Sequence, residues 1–136
     1  LKSMRDLSGE HQRRDVLRHN LQVVMLHRPE SIDALALEVQ AFGVARERVR
    51  GRKLVFKDHL AELATQWQRD AYAIWGEEDA IYRGNVGRLR DKADALRLRY
   101  YTIVPQAGHW VQFEDSARFN SMLAGILASQ PTGTTT

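Results

Sequence analysis

Residues 70–76 (Asp-Ala-Tyr-Ala-Ile-Trp-Gly) decide the fold class, because the sequence pattern changes there. The uninterrupted apolar run at residues 71–75, closed by a glycine, is typical of a buried strand. A second strand is predicted at residues 98–104, an alternating segment that is rich in β-branched and aromatic residues and ends at Pro105. The helix predicted between the two strands has an inner face formed by Val86, Leu89, Ala93 and Leu96. A strand–helix–strand unit of this kind makes its two strands parallel.

The chain before residue 70 is predicted to be helical in several pieces. Ser8 caps the first helix, which must end before Pro29, and a second helix runs until Gly43. A third follows Asp58. The apolar face of the first helix is formed by Leu17, Leu21, Val24 and Met25, and that of the second by Ile32, Leu35, Ala36 and Val39. The apolar face of the third helix is formed by Leu60, Leu63, Ala64 and Trp67. The last helix of the chain has an apolar face formed by Phe119, Met122, Leu123, Ile126 and Leu127. The predicted fold class is therefore α/β, mostly helical with two parallel strands.

The bulk composition narrows the function classes without choosing one. A chain of 136 residues with 43% hydrophobic and 27% charged residues is typical of one soluble globular domain. The net charge of +3 is too small to indicate a nucleic-acid partner, and the absence of an 18-residue apolar run argues against a membrane span. Because there is no cysteine, we expect neither disulfides nor a thiolate metal site, and the cytoplasm is the expected compartment.

Ionisable side chains follow both predicted strands. Residues 76–79 (Gly-Glu-Glu-Asp) come after the first strand and residues 108–110 (Gly-His-Trp) after the second. The carboxyl ends of parallel neighbours share one edge of a sheet, so Asp79 and His109 are expected at the same edge. A carboxylate beside an imidazole can hold one tautomer and stabilise the imidazolium that forms when the histidine takes a proton. The pattern predicts a catalytic pair.

The same two segments resemble a known family. Residues 74–79 (Ile-Trp-Gly-Glu-Glu-Asp) are similar to the acid-bearing strand end of alpha/beta-hydrolases, and residues 108–114 (Gly-His-Trp-Val-Gln-Phe-Glu) resemble their histidine loop leading into the final helix. The acid precedes the histidine, as in the family's order of nucleophile, acid and histidine. The resemblance implies the C-terminal part of an alpha/beta-hydrolase fold, with Asp79 as the triad acid and His109 as general base and then general acid.

The resemblance also implies a domain organisation. Residues 1–68 correspond to a helical lid or cap and its return helix, and residues 69–130 to the C-terminal part of the hydrolase core. Residues 131–136 are expected to form a disordered tail. A helical lid suits such enzymes because it buries apolar surface over a substrate pocket while remaining able to move.

The triad nucleophile is missing from these residues. No Gly-x-Ser-x-Gly motif occurs, and no glycine-rich oxyanion segment is present. The start at Leu1 instead of methionine is compatible with an engineered, a processed or a fragmentary chain. In the family the nucleophile precedes the lid, so the resemblance implies a longer protein whose N-terminal part carries the nucleophile and the oxyanion donors. A histidine and a carboxylate without these groups should give little catalysis, so the chain alone is expected to be inactive.

The substrate and the partners are left open. The resemblance implies hydrolysis of a small molecule, at an ester or an activated carbon–carbon bond, without a cofactor. The Gly-His-Trp-x-Gln loop is similar to hydrolases that cleave carbon–carbon bonds in ring-fission products, but Gln40 falls near the place where those enzymes have an arginine. The alternative is a noncatalytic helical interaction module. It would pair through its exposed sheet edge with a second copy or with the missing N-terminal half.

The remaining candidates have structural interpretations beside functional ones. Trp110 could line the substrate pocket or pack beside the histidine loop, and Glu77 and Glu78 are alternative acids that are expected to be solvated instead. No His-Glu-x-x-His motif is present, so we expect no metal site. Core packing is expected of Trp67, Trp75 and Phe113. The other histidines, expected at surface or core positions, are His11, His19, His27 and His59. The basic cluster, expected to form a solvated face of the lid, consists of Arg46, Arg48, Arg50, Arg52 and Lys53.

Overall fold

The computed structural model describes residues 1–4, 7–46, 59–85 and 87–129. Its elements, in chain order, are α1 (Glu10–Asn20), a π-helical continuation (Leu21–Met25), a 3-10 turn (Pro29–Ser31), α2 (Ala34–Arg46), α3 (His59–Ala64), β1 (Tyr72–Gly76), α4 (Gly87–Ala95), β2 (Tyr100–Val104), α5 (Val111–Glu114) and α6 (Ser116–Ala128). The prediction of a mixed, mostly helical chain with two parallel strands is confirmed.

The two strands pair in parallel and end at the same edge. Tyr72 is opposite Tyr100 at one end of the pair, and Gly76 is opposite Val104 at the other. The second strand begins two residues later than predicted because the chain first closes the end of α4. The Leu98 amide donates to the Ala93 carbonyl at 3.0 Å, which keeps Leu98 out of the strand.

The helical segments enclose a core of their own. Trp110 and Phe113, which follow β2 in the chain, pack against this core, so the histidine loop is anchored on the helical region as well as on the sheet. The buried residues of this helical core are Leu17, Leu21, Leu26, Ile32, Ala36 and Leu37.

A second, smaller core lies between the sheet and the last helix. Val104, Ala107 and Val111 are buried there, and Phe119 and Met122 of α6 pack against them together with Ile74 of β1. Helix α6 therefore covers the sheet face that carries Ile74 and Val104. On the opposite face Trp75, half-buried, lies against Tyr101 with ring centroids 5.6 Å apart.

The apolar face predicted for the third helix is mostly exposed. Helix α3 ends at Ala64, and of the four predicted inner residues only Ala64 is buried. Leu60 and Leu63 are 50% and 52% exposed. The prediction that Trp67 packs in the core is wrong: the chain leaves the helix before it, and its side chain is 39% exposed.

Two other predicted faces are only partly buried. In α2 the buried residues are Ala36 and Leu37, while Leu35 is 60% exposed, so the buried face is rotated from the predicted one. In α6 Leu127 is 63% exposed and no residue is fully buried. Amphipathic spacing identified these helices correctly, but contacts with neighbouring segments decide which apolar residues are covered.

Some sequence-based predictions lie outside the described residues. These concern Asp58, Val86, the tail at residues 131–136, and most of the basic cluster, namely Arg48, Arg50, Arg52 and Lys53. Arg46, the described member of that cluster, stacks its guanidinium 3.6 Å from the ring centroid of Phe42. None of the helices within the described ranges has the length and apolar character needed to cross a membrane.

Candidate functional site

The loops that follow β1 and β2 are joined by backbone hydrogen bonds. The Glu77 amide donates to the Val104 carbonyl and the Glu78 amide to the Ala107 carbonyl, each at 2.9 Å. Gly76 permits this approach, since a Cβ there would lie 2.2 Å from the carbonyl oxygens of Ala107 and Gly108. The two loops therefore form one packed unit at the carboxyl edge of the sheet.

Asp79 and His109 lie in direct contact within this unit. The His109 Nδ1 atom is 2.8 Å from the Asp79 Oδ2 atom. Asp79 is 2% exposed, and its other oxygen, Oδ1, accepts the Ile81 amide at 2.9 Å. The carboxylate is thus held by the backbone amide of Ile81, in its own loop, while its other oxygen faces the His109 ring.

The contact determines which ring nitrogen is available for proton transfer. An ionised carboxylate only accepts hydrogen bonds, so the Nδ1–H group donates to Asp79 and the neutral ring carries its lone pair on Nε2. The His109 side chain is 41% exposed, and no described residue hydrogen-bonds Nε2. The ring is therefore oriented by a buried acid, and its Nε2 atom has no hydrogen-bond partner within the described ranges.

The two glutamates next to Asp79 do not contact the His109 ring. Glu77 is exposed. Glu78, expected to be solvated, is instead half-buried and paired: its Oε2 atom is 3.4 Å from the Arg83 Nε atom and 3.9 Å from the His27 Nδ1 atom. Of the three acids in this loop, Asp79 is the one that the fold places against His109.

Trp110 packs on the helical core. Its ring meets Phe113 edge-on at 6.1 Å, and its amide donates to the Met25 carbonyl at 2.9 Å. These contacts account for the packing interpretation, and a role in lining a substrate pocket stays a prediction. Gln40 lies half-buried on α2.

Glu114 is a buried acid to which the sequence patterns assigned no role. It is 7% exposed, and its two oxygens accept the backbone amides of Gly108, at 2.6 Å, and Arg28, at 2.5 Å. A signal was available, because Glu114 follows Val111 by three positions and shares its buried helix face. A carboxylate on such a face needs partners, which the sequence cannot identify.

The other histidines with described side chains do not hydrogen-bond Asp79 or His109. His11 forms an exposed pair with Asp15 at 3.0 Å, His19 and His27 are partly buried, and the His59 side chain lies outside the described residues. Nowhere in the described ranges do three or more histidine, cysteine, aspartate or glutamate side chains form a group that could hold a metal ion.

A comparison of the chain with protein-family models, curated proteins and solved structures finds no match. The case for a function therefore rests on the geometry of the residues themselves.

Proposed function

We propose that Asp79 and His109 are the acid and the histidine of a hydrolytic triad, in an alpha/beta-hydrolase of which this chain is the C-terminal part. The observation that carries the proposal is the 2.8 Å contact between His109 Nδ1 and a buried, backbone-anchored Asp79 carboxylate. The contact joins two loops that follow neighbouring parallel strands, where catalytic groups of α/β proteins collect.

The proposed chemistry uses the Nε2 atom of His109. Nε2 removes the proton from a nucleophile and later returns it to the leaving group, while Asp79 fixes the ring and stabilises the imidazolium. The nucleophile and the oxyanion donors belong to residues outside these 136, since the sequence contains no Gly-x-Ser-x-Gly motif. The chain by itself is accordingly proposed to be inactive.

The substrate is proposed to be a small molecule with an ester or an activated carbon–carbon bond, and no cofactor is required. Both bond types stay open. The histidine loop is similar to that of carbon–carbon hydrolases, but the half-buried Gln40 stands near the position where those enzymes have an arginine. A cytoplasmic location stays a prediction that rests on composition.

A serine-directed fluorophosphonate probe tests the missing nucleophile. The complete protein should become labelled, and its reading frame should contain a nucleophile elbow before Leu1. The isolated chain should stay unlabelled. Labelling of the isolated chain would show that a reactive nucleophile lies within these 136 residues, against the proposal. A complete reading frame without a nucleophile elbow would refute the hydrolase proposal.

The second candidate is a noncatalytic interaction module that pairs through its sheet edge. Two observations favour it. Within the described residues β1 and β2 pair only with each other, and an isolated strand pair is marginally stable in water. Leu60 and Leu63 are about half exposed as well. This candidate predicts association without turnover, which separates it from the hydrolase.

A further inference from the structure

The histidine loop is held from both sides of His109 by one segment of the helical region. Before the histidine, the Gly108 amide donates to the Glu114 carboxylate at 2.6 Å. After it, the Trp110 amide donates to the Met25 carbonyl at 2.9 Å. The same carboxylate accepts the Arg28 amide, so both hydrogen-bonded positions of the loop are connected to residues 25–28.

Glu114 joins parts of the chain that are far apart in sequence. Its partner Arg28 lies 86 residues before it, and its partner Gly108 lies six residues before it. Hydrogen bonds from backbone amides to an ionised carboxylate are about twice as strong as bonds between neutral groups. At 7% exposure, little water competes for these oxygens. The carboxylate therefore fixes the position of the histidine loop relative to residues 25–28.

Close packing and a second link support this arrangement. A Cβ on Gly108 would lie 2.8 Å from both the His27 amide nitrogen and the Met25 carbonyl oxygen, so the two backbones are in tight contact. The Arg28 side chain donates to the Gln106 carbonyl at 3.0 Å and lies 3.5 Å from the Asp115 carboxylate. The loop has little room to move while Glu114 is bonded to both amides.

We propose that Glu114 is a positioning residue for His109. It holds the backbone before the imidazole so that Nδ1 meets Asp79, and it does so through residues 25–28 without contacting the ring. The inference rests on the proposed function, since positioning matters for turnover only if His109 is the triad base. It adds that residues 25–28 of the helical region support the loop that carries His109.

Nuclear magnetic resonance on the isotope-labelled 136-residue chain tests the positioning. In Glu114→Gln one acceptor becomes an NH2 group that opposes an amide donor, so the exchange protection of the Gly108 or Arg28 amide should fall at least about tenfold. The His109 Nδ1–H signal should broaden or disappear. The matched control is Glu77→Gln, which removes an exposed acid near the pair and should change neither readout.

A folded Glu114→Gln chain with an unchanged Nδ1–H signal and unchanged amide protection would overturn the inference. If Glu114→Gln does not fold, Glu114→Asp is measured instead. It keeps the charge but is one methylene shorter, so it cannot bond both amides in their present positions. The same loss of Nδ1–H signal and amide protection is expected, and unchanged values would again overturn the inference.

Turnover of the complete protein separates the inference from the function beneath it. Glu114→Gln should lower kcat about tenfold to a hundredfold with little change in KM, because a shift of about 1 Å in a catalytic group costs that much. If His109→Ala abolishes turnover while Glu114→Gln changes neither kcat nor the Nδ1–H signal, the inference alone fails. If the signal changes as expected but His109→Ala retains full turnover, the proposed function fails and Glu114 remains a structural anchor of the loop.

Discussion

Gly76 and Gly108 approach so closely that a Cβ built on Gly76 would lie 2.2 Å from the Gly108 carbonyl oxygen. The loop that follows β1 and carries Asp79 is therefore in backbone contact with the loop that follows β2 and carries His109. The contact between Asp79 and His109 depends on this approach.

Gly76→Ala should destabilise the chain. The added methyl group must displace the carbonyl groups of Ala107 and Gly108, and we expect the free energy of unfolding to fall by about 3 kcal/mol or more. Urea unfolding followed by circular dichroism measures the change. Gly125→Ala is the matched control, since a Cβ there meets nothing within 4 Å. It lies inside α6 and should raise stability by up to about 1 kcal/mol. Equal effects of the two substitutions would contradict the packing described here.

Asp79→Asn should change the tautomer of His109 while leaving the geometry of the pair intact. The Ile81 amide needs an acceptor, so the new amide oxygen would face Ile81 and the NH2 group would face Nδ1. The ring would then carry its proton on Nε2, where it cannot act as a base. In the complete protein kcat should fall by about a thousandfold or more. A loss of less than about tenfold would mean that Asp79 is not the orienting acid.

Leu21→Ala should show that the helical core is part of the folded unit. Leu21 is fully buried, and its truncation should cost about 2–5 kcal/mol in the free energy of unfolding. Leu127→Ala removes the same atoms from a side chain that is 63% exposed, and should cost less than about 0.5 kcal/mol. Denaturant titration of both variants provides the comparison. A small loss for Leu21→Ala would indicate that the helical core does not contribute to stability.

The isolated chain should self-associate. The exposed Leu60 and Leu63 and the two-stranded sheet leave apolar and hydrogen-bonding surface uncovered among the described residues. Light scattering at increasing concentration should give a mass above the 15.6 kDa of one chain. A single species of that mass over the whole concentration range would argue against association.

The sequence patterns predicted the strands and the edge where the loops meet, because apolar runs and chain order are local information. They did not predict that Trp67 is exposed, since helical spacing does not reveal what covers a face. Nor did they assign a role to Glu114. Its partners, the amides of Gly108 and Arg28, are brought together only by tertiary packing.

The effect of His109→Ala on turnover tests the central claim most directly. Ester and carbon–carbon substrates should be assayed with the complete protein, the His109→Ala variant and a control, His11→Ala, which alters a side chain that is 90% exposed. Turnover should fall by about a thousandfold or more in His109→Ala, with the fold retained by circular dichroism, and should be unchanged in His11→Ala. Full activity of a folded His109→Ala protein would contradict the proposal that this histidine is the triad base.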